Sequence, residues 1–115
     1  ALDPARRAVA LDPDLPVART NLGTLLLNLG LLDEAVPELR EACRLDPDSP
    51  KAHNNLGLAL LSADRPAEAL PVLERATALA PGDPKPRANA GTALVSWFGG
   101  AILFVFVAWA VSVSS

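Results

Sequence analysis

Residues 50–83 read PKAHNNLGLALLSADRPAEALPVLERATALAPGD, and the fold can be inferred most directly from this segment. Ser49, directly before it, is a good N-cap, and a proline follows at the first helical position, where its missing N–H costs nothing. Leucines and alanines at helical spacing predict a first helix from 51 to about 63 and a second from about 67 to 79. The polar segment 64–66 predicts the turn between them, and a proline and a glycine end the second helix.

The same pattern returns at an interval of 34 residues. The recurring landmarks, in chain order, are Leu11-Asp12-Pro13, Leu45-Asp46-Pro47 and Leu79-Ala80-Pro81; Asn21-Leu22-Gly23, Asn55-Leu56-Gly57 and Asn89-Ala90-Gly91; and Ala1, Ala35 and Ala69. A spacing kept by independent landmarks indicates an internal repeat whose unit is a pair of helices. The glycines fall in mid-helix, where glycine costs about 1 kcal/mol relative to alanine, so we expect two helix backbones to approach there too closely for a Cβ. We expect Pro37 and Pro71 to lie in the first turn of their helices, where amide donors are unpaired.

These motifs resemble the tetratricopeptide repeat family, whose unit has this length and an antiparallel helix pair. The matching residues are Leu22-Gly23, Ala35, Ala42 and Pro47, then Leu56-Gly57, Ala69, Ala76 and Pro81. The resemblance covers about residues 1–97. Two departures stand out: Arg19, His53 and Arg87 replace the usual aromatic near the start of helix A, and Leu26, Leu60 and Leu94 replace the usual tyrosine in its middle.

The resemblance implies an all-α fold, a tetratricopeptide-type α-solenoid of antiparallel helix pairs followed by one apolar helix. Residues 1–15 are interpreted as the truncated last helix of a preceding repeat. Residues 16–49 and 50–83 are whole repeats, and 84–97 form helix A of a further partial one. Because the chain opens at Ala1 without a methionine, we expect further sequence before it.

In this family successive A helices line a concave groove that takes a peptide, so the resemblance implies a non-catalytic protein–protein interaction scaffold. The groove positions carried over are Thr20, Thr24, Leu27, Asn28, Lys51, Asn54, Asn55, Leu58, Leu61, Lys85 and Thr92. Only Asn55 and Lys85 match the five-residue carboxylate clamp of some members, so we do not predict binding of a carboxylate tail. For the recurring Asn21, Asn55 and Asn89, bonding to neighbouring backbone and contact with a ligand both stay open.

From Ala88 onward the sequence has no charged residue, and residues 93–113 read ALVSWFGGAILFVFVAWAVSV. A helix of this length rises about 31 Å, close to the hydrocarbon thickness of a bilayer. Trp97 and Trp109 lie near its ends, where indole rings favour the membrane interface. We therefore predict a single transmembrane helix that contacts lipid and other transmembrane helices. Lys85 and Arg87 before the span place the repeats in the cytoplasm, and a periplasmic location stays open as an alternative.

The sequence offers little for catalysis. Cys43 and His53 are its only cysteine and histidine, and interhelix packing explains them better than a Cys–His nucleophile pair. We find no spacing typical of metal ligands and no phosphate-binding loop. A net charge of −3 gives no reason to expect nucleic acid. We predict no enzyme activity, no cofactor, no metal and no small-molecule substrate.

Three functional interpretations follow. The leading one is a membrane-anchored repeat scaffold, an accessory or assembly subunit of a membrane protein complex. The first alternative is a soluble adaptor whose apolar C-terminal segment is buried in a larger assembly. The second is a regulatory fragment of a larger enzyme.

Overall fold

The computed structural model describes residues 2–114, except for the side chains of 98–104. Over this part of the chain the fold is all-α and contains the helices α1 (Leu2–Leu11), α2 (Pro16–Asn28), α3 (Leu32–Leu45), α4 (Pro50–Ser62), α5 (Pro66–Leu79) and α6 (Pro84–Ser114). Each helix packs on the next, and α2, α4 and α6 also contact one another in turn. The result is an elongated stack of 67 × 27 × 18 Å, which confirms the predicted solenoid. In the predicted division into repeats, α2 pairs with α3 and α4 with α5.

Local signals set the helix boundaries. Helices α2, α4, α5 and α6 begin at a proline. The Ser49 hydroxyl accepts a hydrogen bond from the Ala52 amide at 3.2 Å, as expected of an N-cap. The turns after α2 and α4 each contain one residue in the left-handed region, Gly30 with φ 75° and Asp64 with φ 59°. Glycine takes this conformation without strain and aspartate tolerates it, so both residues allow the chain to reverse.

The core lies between the helix pairs and is made of leucine and alanine. The residues with no exposed surface include Leu39, Leu60, Leu73, Ala35, Ala42, Ala69 and Ala76. Burying one leucine contributes about 1.5–3 kcal/mol, so these positions hold much of the fold together. Alanines allow close approach of the helix axes, while leucines fill the space between them.

The recurring glycines are explained by a side chain rather than by a neighbouring backbone. A Cβ built on Gly23 would lie 2.5 Å from Cγ of Leu39, and one on Gly57 would collide with Leu73 in the same way. Each glycine therefore makes room for a leucine of the paired helix. Gly91 differs, because nothing in the described part of the chain lies within 4 Å of its added Cβ. The expectation of backbone contact was wrong.

The two internal prolines lie deeper in their helices than expected. Pro37 is the sixth residue of α3 and Pro71 the sixth of α5. Only the first four amides of a helix lack an internal acceptor, so each proline removes one hydrogen bond. The carbonyls left without that donor belong to Asp33 and Ala67, four residues earlier in each case.

Helix α6 contains two overlapping segments to which the sequence assigned different roles. The partial repeat at 84–97 and the apolar segment 93–113 form one continuous helix, Pro84–Ser114. Ala93, where the proposed membrane span begins, is fully buried against the α5 core. The middle of that span, 98–104, lies outside the described side chains. Among the residues described, no helix is both long and apolar enough to cross a membrane, so the predicted span is not supported.

Candidate functional site

The predicted groove residues lie on α2, α4 and the first half of α6, and we call this face the A-helix surface. Helix α4 occupies its middle and contacts α2 on one side and α6 on the other. On α4, Asn54, Asn55 and Leu58 follow Lys51 by three, four and seven residues. This spacing puts them on one side of the helix.

Two hydrogen bonds join neighbouring helices across the A-helix surface. The Asn55 side-chain amide donates to the Thr24 hydroxyl at 2.8 Å, which links α4 to α2. The Asn89 amide donates to Oδ1 of Asn54 at 2.9 Å, which links α6 to α4. Each bond satisfies partly buried polar groups and fixes the register of successive helices. Asn55, Asn89, Asn54 and Thr24 therefore have partners before any peptide arrives.

The threonines of this surface bond to their own helices. Thr20 is 6% exposed, and its hydroxyl donates to the Pro16 carbonyl at 2.9 Å. Thr92 is exposed, and its hydroxyl donates to the Ala88 carbonyl at 3.2 Å. Thr20 consequently lies beneath the surface, whereas Thr92 remains accessible on it.

The accessible part of the A-helix surface combines cations with one central leucine. Lys51, Lys85 and Asn28 are exposed, and Leu58 is half-buried. Leu27 and Leu61 are also half-buried, but they pack against the core clusters. Among the described residues, neither lysine forms an ion pair. Leu58 is thus the predicted apolar contact that does not also support the core.

A small recess lies where α2 and α4 begin. It has a volume of about 100 Å³ and is lined by Pro16, Val17, Thr20, Asn21, Asp46, Ser49 and Lys51. Small-molecule pockets usually measure roughly 300–1,000 Å³, so the recess fits a side chain better than a metabolite. It brings the predicted residues Thr20 and Lys51 together.

Arg19 has a supporting role that the sequence did not reveal. Its guanidinium donates to Glu38 at 2.9 Å and to the Pro13 carbonyl at 3.0 Å. These bonds join α2 to α3 and to the loop that precedes α2. The side chains of Arg19 and Glu38 are both mostly buried. Arg19 stands where the family usually has an aromatic, so an ion pair here replaces an aromatic contact. An arginine at the usual aromatic position was the only sign of this role in the sequence. The sequence could not identify Glu38 as the partner of Arg19, because Glu38 lies on another helix.

Cys43 and His53 do not form a nucleophilic pair. Burial raises the pKa of the Cys43 thiol to about 11, so the thiol stays protonated near neutral pH. His53 Nδ1 donates to the carbonyl of Ser49, the N-cap of its helix, at 2.8 Å. In the described part of the chain, no group of histidine, cysteine, aspartate or glutamate side chains is placed to hold a metal ion.

Helix pairs stacked at a constant interval, with small residues under recurring leucines, define an α-solenoid repeat protein. The profile of the tetratricopeptide repeat family matches residues 20–84, which is more than half of the chain. The chain therefore belongs to the tetratricopeptide repeat family.

Solved structures show the same fold. The protein described as MamA MSR-1 C2 is 26% identical with a TM-score of 0.72, and the match covers 81% of this chain and 53% of that one. An O-GlcNAc transferase mutant from Thermobaculum terrenum is 29% identical with a TM-score of 0.74, covering 78% of this chain and 17% of that one. The MamA RS-1 ArsTM double mutant, at 22% identity and a TM-score of 0.76, covers 82% and 53% and shows the fold alone. This chain thus spans about half the length of the MamA chains. Among curated protein sequences, none matches it.

Proposed function

We propose that this chain is a protein-binding adaptor whose A-helix surface takes a peptide segment of a partner. The observation that carries the proposal is the arrangement of α2, α4 and α6: Leu58 lies on the middle helix, α4, which the Asn55 and Asn89 bonds hold in register with its two neighbours. A surface fixed before binding loses little conformational entropy when the peptide arrives. The tetratricopeptide fold supports a protein as the partner.

The exposed side chains favour a peptide that combines aliphatic and acidic residues. Leu58 offers apolar contact, and Lys51 and Lys85 add two cations at equivalent positions of successive A helices. Carboxylates of the partner would pair with these ammonium groups, while an aliphatic side chain would cover Leu58. We assign Asn54, Asn55, Thr20 and Thr24 to the support of the surface. Asn28 and Thr92 complete its accessible edge.

We further propose that protein covers the apolar part of α6. Ala93 is fully buried in the solenoid core, so the helix begins as part of the repeat packing. Beyond residue 104, Val105, Phe106 and Val107 are at least half exposed. An apolar surface of this kind marks a site of assembly. A protein-covered α6 corresponds to the adaptor interpretation of the sequence. The other interpretations stay predictions from the sequence: a membrane anchor with Trp97 and Trp109 at its interfaces, a subunit of a membrane complex, and a regulatory fragment of an enzyme.

The test is a selection of a random peptide library, displayed on phage, against the full chain. We expect the enriched peptides to pair aspartate or glutamate with aliphatic residues. Leu58→Glu should weaken their binding by at least tenfold, because it replaces an apolar contact worth about 1.5–3 kcal/mol with a charge that repels the peptide. Fluorescence titration of a synthetic copy of each enriched peptide measures this.

Leu11→Glu is the matched control, since Leu11 is 87% exposed on α1, away from the A-helix surface. Circular dichroism should show the same helical content for both variants. Peptides that bind Leu58→Glu as well as the original chain would place recognition on another face and refute the proposal.

A further inference from the structure

One face of α6 is exposed, although the equivalent face of each earlier A helix is covered by its paired B helix. Leu26 and Leu60 are 1% and 0% exposed under their paired helices, whereas the equivalent Leu94 is 41% exposed. Gly23 and Gly57 lie under Leu39 and Leu73, whereas the equivalent Gly91 has open space above it in the described part of the chain. The first half of α6 is therefore an A helix whose B helix is missing from its side.

The repeat register identifies the residue that belongs over Gly91. Leu39 and Leu73 each follow their glycine by 16 residues, and the residue at that distance from Gly91 is Val107. In a continuous helix, 16 residues span about 24 Å, so Val107 cannot reach Gly91 of its own chain. Val107 is itself 50% exposed. Val107 stands at the B-helix leucine position of a third unit, but the continuous helix α6 keeps it away from Gly91 of the same chain.

The residue at the turn position of the repeat favours a continuous helix α6 over a reversal of the chain. The left-handed residues that reverse the chain after α2 and α4 are Gly30 and Asp64, and the repeat places Phe98 next. A bulky aromatic takes a positive φ only with strain. The turn of the earlier pairs is therefore disfavoured at this position, and the helix continues instead.

We infer that a second copy of the chain covers this face, with the two α6 helices antiparallel and exchanging their C-terminal halves. The glycine–leucine pairs of the first two units are centred on Leu31 and Arg65, and the third is centred on Gly99. A two-fold axis at Gly99 brings Val107 of each copy over Gly91 of the other. Exchange of one element between identical chains makes a closed dimer, and here it completes a repeat in both copies.

Charge supports the antiparallel arrangement. With the axis at Gly99, the exposed Lys85 and Arg87 of one copy lie beside residues 111–113 of the other. The C-terminal end of a helix favours cations, and α6 has no basic residue in its own last turn. From Ala88 onward the sequence carries no charge that could repel its copy. Parallel pairing would instead place the two pairs of cations side by side.

Cysteine cross-linking between differently labelled copies tests the arrangement. In a Cys43→Ala background, one chain carries Gly91→Cys and another Val107→Cys, and the two are refolded together from urea. We expect a disulfide-linked dimer in the mixture and at most a trace in either variant alone, because like positions lie about 24 Å apart in the antiparallel pair. Light scattering of the unmodified full chain should give the mass of two copies. Replacing Val107→Cys by Asp64→Cys provides a mixture that should not cross-link.

Three results would overturn the inference. Monomeric mass with an internal disulfide in the Gly91→Cys/Val107→Cys double variant would show that the helix folds back on its own chain. Efficient linkage of Val107→Cys copies with one another would show parallel pairing. Monomers that enter phosphatidylcholine vesicles would show that lipid covers the face.

A change at the turn gives a second, independent readout. Phe98→Asn supplies a residue that tolerates the left-handed conformation, so the helix can reverse and the mass should shift from two copies toward one. Phe98→Leu should remain dimeric. Equal masses for the two variants would mean that the turn does not control the exchange. Neither readout involves peptide binding, so failure here leaves the proposed function of the A-helix surface intact.

Discussion

The Asn55 side-chain amide donates a hydrogen bond to the Thr24 hydroxyl, which joins α4 to α2. This contact separates two roles that the recurring asparagines left open, because an amide engaged with a neighbouring helix must break that bond to contact a peptide. Asn89 has the same relation to Asn54. Single residues of the A-helix surface thus divide into those that hold the helices together and those, such as Leu58 and Lys51, that remain accessible.

Replacing Asn55 should affect stability. Asn55→Ala removes a partly buried hydrogen bond between α4 and α2 and should lower the free energy of unfolding by about 1 kcal/mol, as measured by urea denaturation. Asn28→Ala, at an exposed position of α2, is the control and should change it by less than about 0.5 kcal/mol. Equal stabilities would argue that Asn55 is held for a ligand instead.

At the scale of the helix, α3 and α5 share an unusual feature, a proline as their sixth residue. Their recurrence shows that both repeats tolerate a missing hydrogen bond at the same point. Sequence patterns located these helices because the spacing of leucine and alanine is a local property. The exact start of each helix was harder to predict. Because the helices begin earlier than expected, the two prolines lie in the second turn and not in the first.

Removing one of these prolines should stabilise the chain. Pro71→Ala restores an amide donor for the Ala67 carbonyl and should raise the free energy of unfolding by about 1–3 kcal/mol. Part of this gain is offset because the unfolded chain has more conformations without the proline. Pro66→Ala, at the start of α5, restores no helical bond and should have little effect. Thermal unfolding of both variants measures the difference, and a loss of stability in Pro71→Ala would contradict this account.

Helix α6 illustrates how one turn residue changes an element. Its N-terminal half has the leucine and glycine pattern of an A helix, and Val107 continues the register of a B helix. Without a residue suited to positive φ at 98, the two halves remain collinear. The repeat pattern alone gave no sign of this outcome, because it records which residues pair and not whether they belong to the same copy.

For the whole molecule, the distribution of charge predicts how binding depends on salt. The chain carries a net charge of −3, yet the accessible A-helix surface presents Lys51 and Lys85. Raising ionic strength from about 0.01 M to about 1 M shortens the Debye length from roughly 30 Å to roughly 3 Å. The affinity for an acidic peptide should therefore fall several-fold in a fluorescence titration. In Lys51→Gln/Lys85→Gln this dependence should largely disappear; an unchanged salt dependence would assign recognition to other cations.

The sequence by itself determined the helix pairs, their interval and the membership of the repeat family. These properties follow from helix propensity, apolar spacing and turn residues, which act over a few residues and recur in every unit. The groove positions could be named for the same reason, since a place in a repeat implies a place on a helix.

The contacts that those positions make could be seen only in the folded molecule. The structure showed that Gly57 makes room for Leu73, that Arg19 pairs with Glu38, and that Asn55 donates a hydrogen bond to Thr24. Each contact joins residues on different helices. Periodicity fixes which side of a helix a residue occupies, but the partner across the interface depends on how two helices are packed, and that is settled by the shape of the whole core.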